Sequence, residues 1–362
     1  MMKEDRSERF VIEGGRRLSG TIDVRGSKNA ATPIIAATVL TQHPCVLTNI
    51  PRIEDVFVML DILESMGSRI EWLDDRTVEI VNADIDPERI DAAKVKKMRS
   101  SILLLGSLSA RFETFSLAHP GGCVIGARPT GTHFDALRGL GVVVEAKDGM
   151  YRVEASKRVP ANVVLREFSV TATENAMMLA AAMEGETTIK IAAAEPHVED
   201  LGRFLQSIGA EIDGLGTHTI TISGKKREAL TGAKHTIIPD ANEAATFLIL
   251  GAATGSDIVV RGAREDHLDL VLERLKQFGA GIEIAEDGIR VFPAGPLAAF
   301  GKLDARIYPG IPTDIQAPLG VLATQARGET LIHDTLFEGR FNYIGELQKM
   351  GANAHILNPH QA

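Results

Sequence analysis

The loop from His119 to His133, HPGGCVIGARPTGTH, gathers residue types that reactions need. Its glycines and two prolines exclude a regular element, and long loops in compact domains commonly carry function. Cys123 sits at its middle with Arg128 five residues on, and a nearby cation favours the reactive thiolate of a solvent-reached cysteine. The plain alternative for a lone cysteine is a small buried hydrophobe. That reading fits Cys45, inside the strand-like run CVLTNI, better than Cys123. Two further cations, Lys28 (followed by Asn29) and Arg99, open helix-like segments, where free N–H groups already create partial positive charge. A cation is electrostatically disfavoured there unless an anion is to be bound. Asp314, in YPGIPTDIQAP, also opens a helix pattern. Its carboxylate would cap the helix or face a cleft as a base, and on position alone capping is the simpler reading.

These residues recur at matching places in a repeated design. Five apolar helix patterns run into a glycine stop and then a β-like run: Met66-Gly67, Leu140-Gly141, Ile208-Gly209, Phe278-Gly279 and Met350-Gly351, separated by 74, 68, 70 and 72 residues. So regular a period predicts an internal structural repeat. From Ser27 to Ile70 the pattern is a helix (SKNAATPIIAATVL), a strand (CVLTNI) and a helix (IEDVFVMLDILESMG). Strands flank Asp74-Asp75, and TIDVRG reads as a further strand ahead, giving βαβαββ. Ser169 to Ile212, Asp240 to Ile284 and Pro312 to Ile356 repeat the order, while Met98 to Val144 carries the inserted loop. Equivalent first-helix starts fall at Lys28-Asn29, Arg99, Glu174-Asn175, Asn242-Glu243 and Thr313-Asp314. Capping accounts for the Asn, Thr and Glu members but not for Lys28 and Arg99. Repeats folded around a common axis would aim these ends at one cleft able to hold a multiply anionic substrate.

Bulk composition narrows the alternatives. With 362 residues, 44% hydrophobic and 24% charged, the chain has length for about two domains with real cores. No apolar run approaches the roughly 18 residues of a membrane span, and the opening MMKEDRSERF lacks a secretory apolar stretch, so the cytoplasm is expected. A net charge of -9 argues against nonspecific nucleic-acid or membrane binding. Two cysteines are too few for a disulfide framework or thiolate metal site, and no His pair has the spacing of a zinc helix. No Walker loop or GxGxxG is present; SGKKRE, Ser223 to Glu228, lacks the upstream Gly and the following Ser/Thr.

In order along the chain, GSKNA (Gly26 to Ala30), MRSS (Met98 to Ser101), GGCVIGARP (Gly121 to Pro129), IPTD (Ile311 to Asp314) and FEGRF (Phe337 to Phe341) resemble the enolpyruvyl transferase family over essentially the whole sequence. The likeness is closest to its sugar-nucleotide branch, because of the Cys loop. It implies an α/β (α+β) fold of the inverse α/β barrel type, two domains of βαβαββ units with helix N-termini facing the cleft between them. The expected division is 24–236, carrying the Cys loop, against 1–23 plus 237–362. Five of six expected units are written before the sequence breaks off at NPHQA, so truncation or an incomplete sequence is the favoured expectation, with a partner-supplied unit or weakened activity as the others.

The resemblance further implies transfer of the enolpyruvyl group of phosphoenolpyruvate to the 3'-hydroxyl of UDP-N-acetylglucosamine, with no metal or organic cofactor. Lys28 and Arg128 would grip phosphoenolpyruvate and Arg340 its carboxylate. Asn29 and Arg99 would support the sugar nucleotide and the closed state. Ser169 and Val170 would meet the diphosphate, Pro129 the uracil and Leu336 the uridine. Asp314 would take the 3'-hydroxyl proton, and Cys123, the family's fosfomycin target, would protonate the methylene carbon. Three positions depart from the branch: Gly131 in place of an Asp that bonds uracil, Glu167 in place of a Lys that meets the diphosphate, and Ala241 in place of an Arg. A silent nucleotide-sugar-binding homologue, a transferase for another nucleotide and the shikimate-pathway enzyme remain as alternatives.

Overall fold

The computed structural model describes residues 10–121 and 129–362. The chain opens with β1 (Ser19–Asp23), α1 (Lys28–Ala37), β2 (Cys45–Thr48), α2 (Glu54–Met66), β3 (Arg69–Asp74) and β4 (Thr77–Val81). Then come α3 (Ala92–Val95), α4 (Leu104–Arg111), β5 (Thr114–Ala118), α5 (Gly131–Gly139), β6 (Val143–Lys147) and β7 (Met150–Glu154). A third group holds β8 (Asn162–Val164), α6 (Val170–Ala181), β9 (Gly185–Lys190), α7 (Pro196–Ser207), β10 (Glu211–Asp213) and β11 (Thr219–Gly224). A fourth holds β12 (Lys234–Thr236), α8 (Ala241–Ala253), β13 (Asp257–Arg261), α9 (Asp269–Phe278), β14 (Ala280–Ala285) and β15 (Gly288–Pro293). The last is β16 (Lys302–Ala305), α10 (Thr313–Ala323), β17 (Leu331–Asp334) and α11 (Asn342–Lys349).

All five predicted glycine stops lie in the left-handed region, with φ of 111° at Gly67, 81° at Gly141, 122° at Gly209, 97° at Gly279 and 91° at Gly351. Residues with a Cβ pay for that conformation, so glycine is what lets each outer helix close and turn into a strand. The closing bonds repeat too: Ser68 N–H to Leu63 C=O at 3.1 Å, Val142 to Leu137 at 3.0 Å, Ala210 to Leu205 at 3.1 Å and Ala352 to Leu347 at 3.0 Å.

Three sheets share one plan, a parallel pair at one edge and an antiparallel hairpin beyond it: β12-β2-β4-β3, β8-β9-β11-β10 and β1-β13-β15-β14. Among the described residues β5-β7-β6 lacks a leading strand, and Pro87–Arg89 forms a 3₁₀ turn ahead of it. TIDVRG, read above as the leading strand of the first unit, belongs elsewhere. β1 pairs with β13, and β12 takes the place beside β2. A short strand carries no local address, and only nonlocal pairing assigns it.

Two expectations about element positions fail. Glu174 and Asn175 do not open a helix; α6 starts at Val170, capped by Ser169, whose Oγ accepts the Ala172 N–H. With Val170, Thr171 and Thr173 β-branched, the run from Val170 to Thr173 looks strand-like, but the cap and burial override that propensity. Ser27 caps α1 and Asp240 caps α8 at the same structural position. The run after Gly351 forms no strand. Elsewhere that segment pairs with a following hairpin strand, as β3 does with β4; here Ala362 and His360 instead bond Ile332 and Asp334 along β17.

One apolar core runs from Ala30 to Ile237 and a second joins Val24 to residues between Ala244 and Leu347. In the first, α1, α4 and α6 are buried nearly all round, and with them the polar Thr173, Glu174 and Asn175 of α6. Each wholly buried Ile, Leu or Met there contributes about 1.5–3 kcal/mol against chain entropy. Cys45 is fully buried as well, as its strand context predicts. Among the described residues no helix is long and apolar enough to cross a membrane.

The chain passes between the cores twice, at residues 24–27 and 237–240, and the two passages are stitched together. Ser27 N–H bonds Ile238 C=O and Asp240 N–H bonds Arg25 C=O, both at 2.8 Å, across a Gly26–Pro239 bridge. A Cβ on Gly26 would lie 1.8 Å from the Asn49 carbonyl oxygen, so only glycine fits.

Candidate active site

The stitched crossing places Lys28 and Asn29 as the first two residues of α1. Asp240 caps α8 through Oδ1 and accepts the Lys28 N–H through Oδ2 at 3.2 Å, joining helix starts that belong to different cores. Lys28 Nζ is half exposed and lies 2.9 Å from Asp55 Oδ2. In the open this pair is worth at most about 1 kcal/mol, a small hindrance to a multiply charged anion.

A second group surrounds the start of α6. Ser169 and Val170 are its cap and first residue, and Thr171 Oγ1 lies 2.7 Å from His133 Nε2 of α5. Arg99 stands close enough to act on His133, whose pKa falls to about 4 mainly through burial and secondly through that charge. Pro129 is exposed, just ahead of α5. Glu167 accepts from Thr132 Oγ1 at 2.7 Å, so this acidic departure from the branch is held by its neighbour and adds no cation. Deeper in α6, Glu174 is 1% exposed; burial first, and then the charge of Glu195, raises its pKa well above the carboxylate range.

The third group lies at the start of α10. Asp314 does not cap this helix: Pro312 precedes it without a side-chain cap, and Asp314 Oδ1 instead accepts Arg340 Nη2 at 2.8 Å. Arg340 Nη1 donates to Thr313 Oγ1 at 2.8 Å, and its guanidinium lies 5.6 Å from the Phe337 ring centre. Leu336 is partly exposed on the turn between β17 and Arg340.

His197 is the second residue of α7. Part of its edge meets solvent, yet burial pulls its pKa to about 4, against upward pulls from Asp200 and Asp314, with His267 adding to the fall. The α7 start thus stands within Coulombic reach of the α10 start.

The sequence-predicted residues therefore sort into local groups. Asp314 and Arg340 are bonded directly; Lys28 and Asn29 share one helix start; Ser169 and Val170 open the helix whose Thr171 bonds His133, and Arg99 acts on that imidazole. Among the described residues Lys28 bonds Asp240 and Asp55 while Arg340 bonds Thr313 and Asp314, with no partner in common. Cys123 and Arg128 lie outside the described residues. Sequence reading missed Asp240, His133, His197 and Asp334. Only Asp240 left a signal, standing one residue ahead of its helix as Ser27 and Ser169 do.

The family profile described as EPSP synthase (3-phosphoshikimate 1-carboxyvinyltransferase) matches residues 12–361. The chain belongs to this family of enolpyruvyl transferases. It is 43% identical over 351 residues to UDP-N-acetylglucosamine 1-carboxyvinyltransferase 1 of Carboxydothermus hydrogenoformans, covering 96% of this chain and 82% of that one. To the UDP-N-acetylglucosamine 1-carboxyvinyltransferase of Wolinella succinogenes it is 40% identical over 346 residues, covering 95% of this chain and 82% of the relative. The fold also matches the enolpyruvyl transferase NikO from Streptomyces tendae, with a TM-score of 0.86, 24% identity and coverage of 97% of this chain and 82% of that one.

Proposed function

We propose that this protein transfers the enolpyruvyl group of phosphoenolpyruvate to the 3'-hydroxyl of UDP-N-acetylglucosamine and releases phosphate, the step that commits the sugar nucleotide to peptidoglycan. The observation that carries the reading is the Arg340–Asp314 contact of 2.8 Å, a cation and a carboxylate side by side at a helix start. Relatives at about 40% identity supply the acceptor, since both bear the sugar-nucleotide name.

In this scheme Lys28, Arg128 and Arg340 hold the anionic reagent, and their charges stabilise the transition state. Cys123 gives a proton to the methylene carbon, leaving an oxocarbenium-like centre. The 3'-oxygen attacks that centre as Asp314 takes its proton. The tetrahedral adduct then loses phosphate together with a proton from the new methyl group, which restores the double bond. Asn29 and Arg99 steady the sugar nucleotide; Ser169 and Val170 meet the diphosphate, with Pro129 at the uracil and Leu336 at the uridine. Residues 24–236 act as one domain and 1–23 plus 237–362 as the other, closing around both substrates and excluding water. The reaction takes place in the cytoplasm.

The test is phosphate release from phosphoenolpyruvate, measured with and without UDP-N-acetylglucosamine and with shikimate 3-phosphate as a rival acceptor. Release should need the sugar nucleotide and be lost in Cys123→Ala and Asp314→Ala. Full activity in both variants, or a preference for the shikimate acceptor, rejects the reading.

A further inference from the structure

β17 ends in Asp334, a fully buried carboxylate whose two oxygens serve different segments. Oδ1 accepts the N–H groups of Leu336 at 2.9 Å and Phe337 at 3.1 Å, closing the turn that leads to Arg340. Oδ2 accepts the hydroxyl of Thr313, the first residue of α10 and the neighbour of Asp314. Thr313 Oγ1 in turn accepts Arg340 Nη1, while Nη2 reaches Asp314. A threonine hydroxyl has one hydrogen and two lone pairs. Giving that hydrogen to Asp334 leaves lone pairs for the guanidinium, so the buried carboxylate sets the polarity of the chain of bonds. An Asn at 334 has one acceptor oxygen for donors on both sides and would turn its NH₂ toward another donor.

We propose that Asp334 is a positioning residue for enolpyruvyl transfer: through Thr313 it fixes the Arg340 guanidinium against Asp314, and through the turn amides it sets the height of Leu336. The inference rests on the function proposed above, in which Arg340 grips the phosphoenolpyruvate carboxylate and Asp314 takes the proton.

The experiment is steady-state phosphate release by the full chain and by Asp334→Asn, Thr313→Val, Arg340→Ala and the Asp334→Asn/Arg340→Ala pair, with thermal melts of each. A bond to a charged group contributes enough that Asp334→Asn should lower kcat/KM for phosphoenolpyruvate about tenfold or more. In the Arg340→Ala background the same change should cost less than about twofold, because the group it positions is gone. Thr313→Val keeps the turn bonds of Asp334 and should reproduce most of the loss while melting near wild type. Should Asp334→Asn fail to fold, Thr313→Val decides alone. Equal fold-losses in both backgrounds, or a fully active Thr313→Val, overturn the inference and leave the function standing. A wild-type chain without turnover overturns both.

Discussion

His133 gives a test that needs no substrate. Its side chain is 4% exposed, its Nε2 lies 2.7 Å from Thr171 Oγ1, and burial chiefly, then Arg99, draw its pKa from 6.5 to about 4 against a smaller upward pull from the Thr130 backbone. In the unfolded chain the imidazole titrates near 6.5. As pH falls from about 6.5 toward about 4, the unfolded state binds a proton that the folded state refuses, so stability drops across that window. Above the window the effect vanishes. At about 1.4 kcal/mol per pH unit, the full penalty is on the order of 3 kcal/mol. His133→Gln removes the titrating group and retains a partner for Thr171. Urea unfolding followed by Trp72 fluorescence, at about pH 7 and about pH 5, should show wild type losing roughly 1–2 kcal/mol more than the variant. Parallel losses would refute the buried, neutral imidazole.

Three further outcomes follow from the same geometry. Gly26→Ala puts a Cβ 1.8 Å from the Asn49 carbonyl, and because backbone meets backbone there, thermal melts should register a loss of about 1–3 kcal/mol; an unchanged melt contradicts the stitched crossing. Asp240→Ala removes the α8 cap and the acceptor of the Lys28 N–H, so it should destabilise by about 1–2 kcal/mol in denaturant titration, whereas a neutral variant would show that neither bond matters. Cys45 is fully buried with its thiol pushed up to about 11 by burial, so iodoacetamide on the folded protein should add a single adduct, at Cys123, by intact mass; a second adduct disproves the burial of Cys45.

Periodic features were legible in the sequence because they are local. A Gly after an apolar helix must take positive φ wherever the chain turns sharply, and Gly67, Gly141, Gly209, Gly279 and Gly351 all do. Lys28 and Arg99 stand out in the sequence as cations at helix starts, and the structure opens α1 with Lys28 and a 3₁₀ turn with Arg99. Burial and nonlocal pairing were not legible. Glu174 looks like a helix start in the sequence, yet it is almost wholly buried in the second turn of α6; the β-branched Val170, Thr171 and Thr173 hide the true beginning. Asp334 looks like any acid beside a turn; only its zero exposure and its bond to Thr313 reveal its place. The exchange of β1 and β12 between sheets could not be read from either strand alone.

That exchange shapes how the protein is made. β1 waits for a partner 238 residues further along, so at about 5–20 residues per second a ribosome needs roughly 12–48 s to deliver β13. Meanwhile the segment from α1 to β12 emerges with all its own sheet partners and is free to fold first. A bulky fusion ahead of Ser19 should therefore leave that early-folding region intact and slow the completion of the β1-β13-β15-β14 sheet.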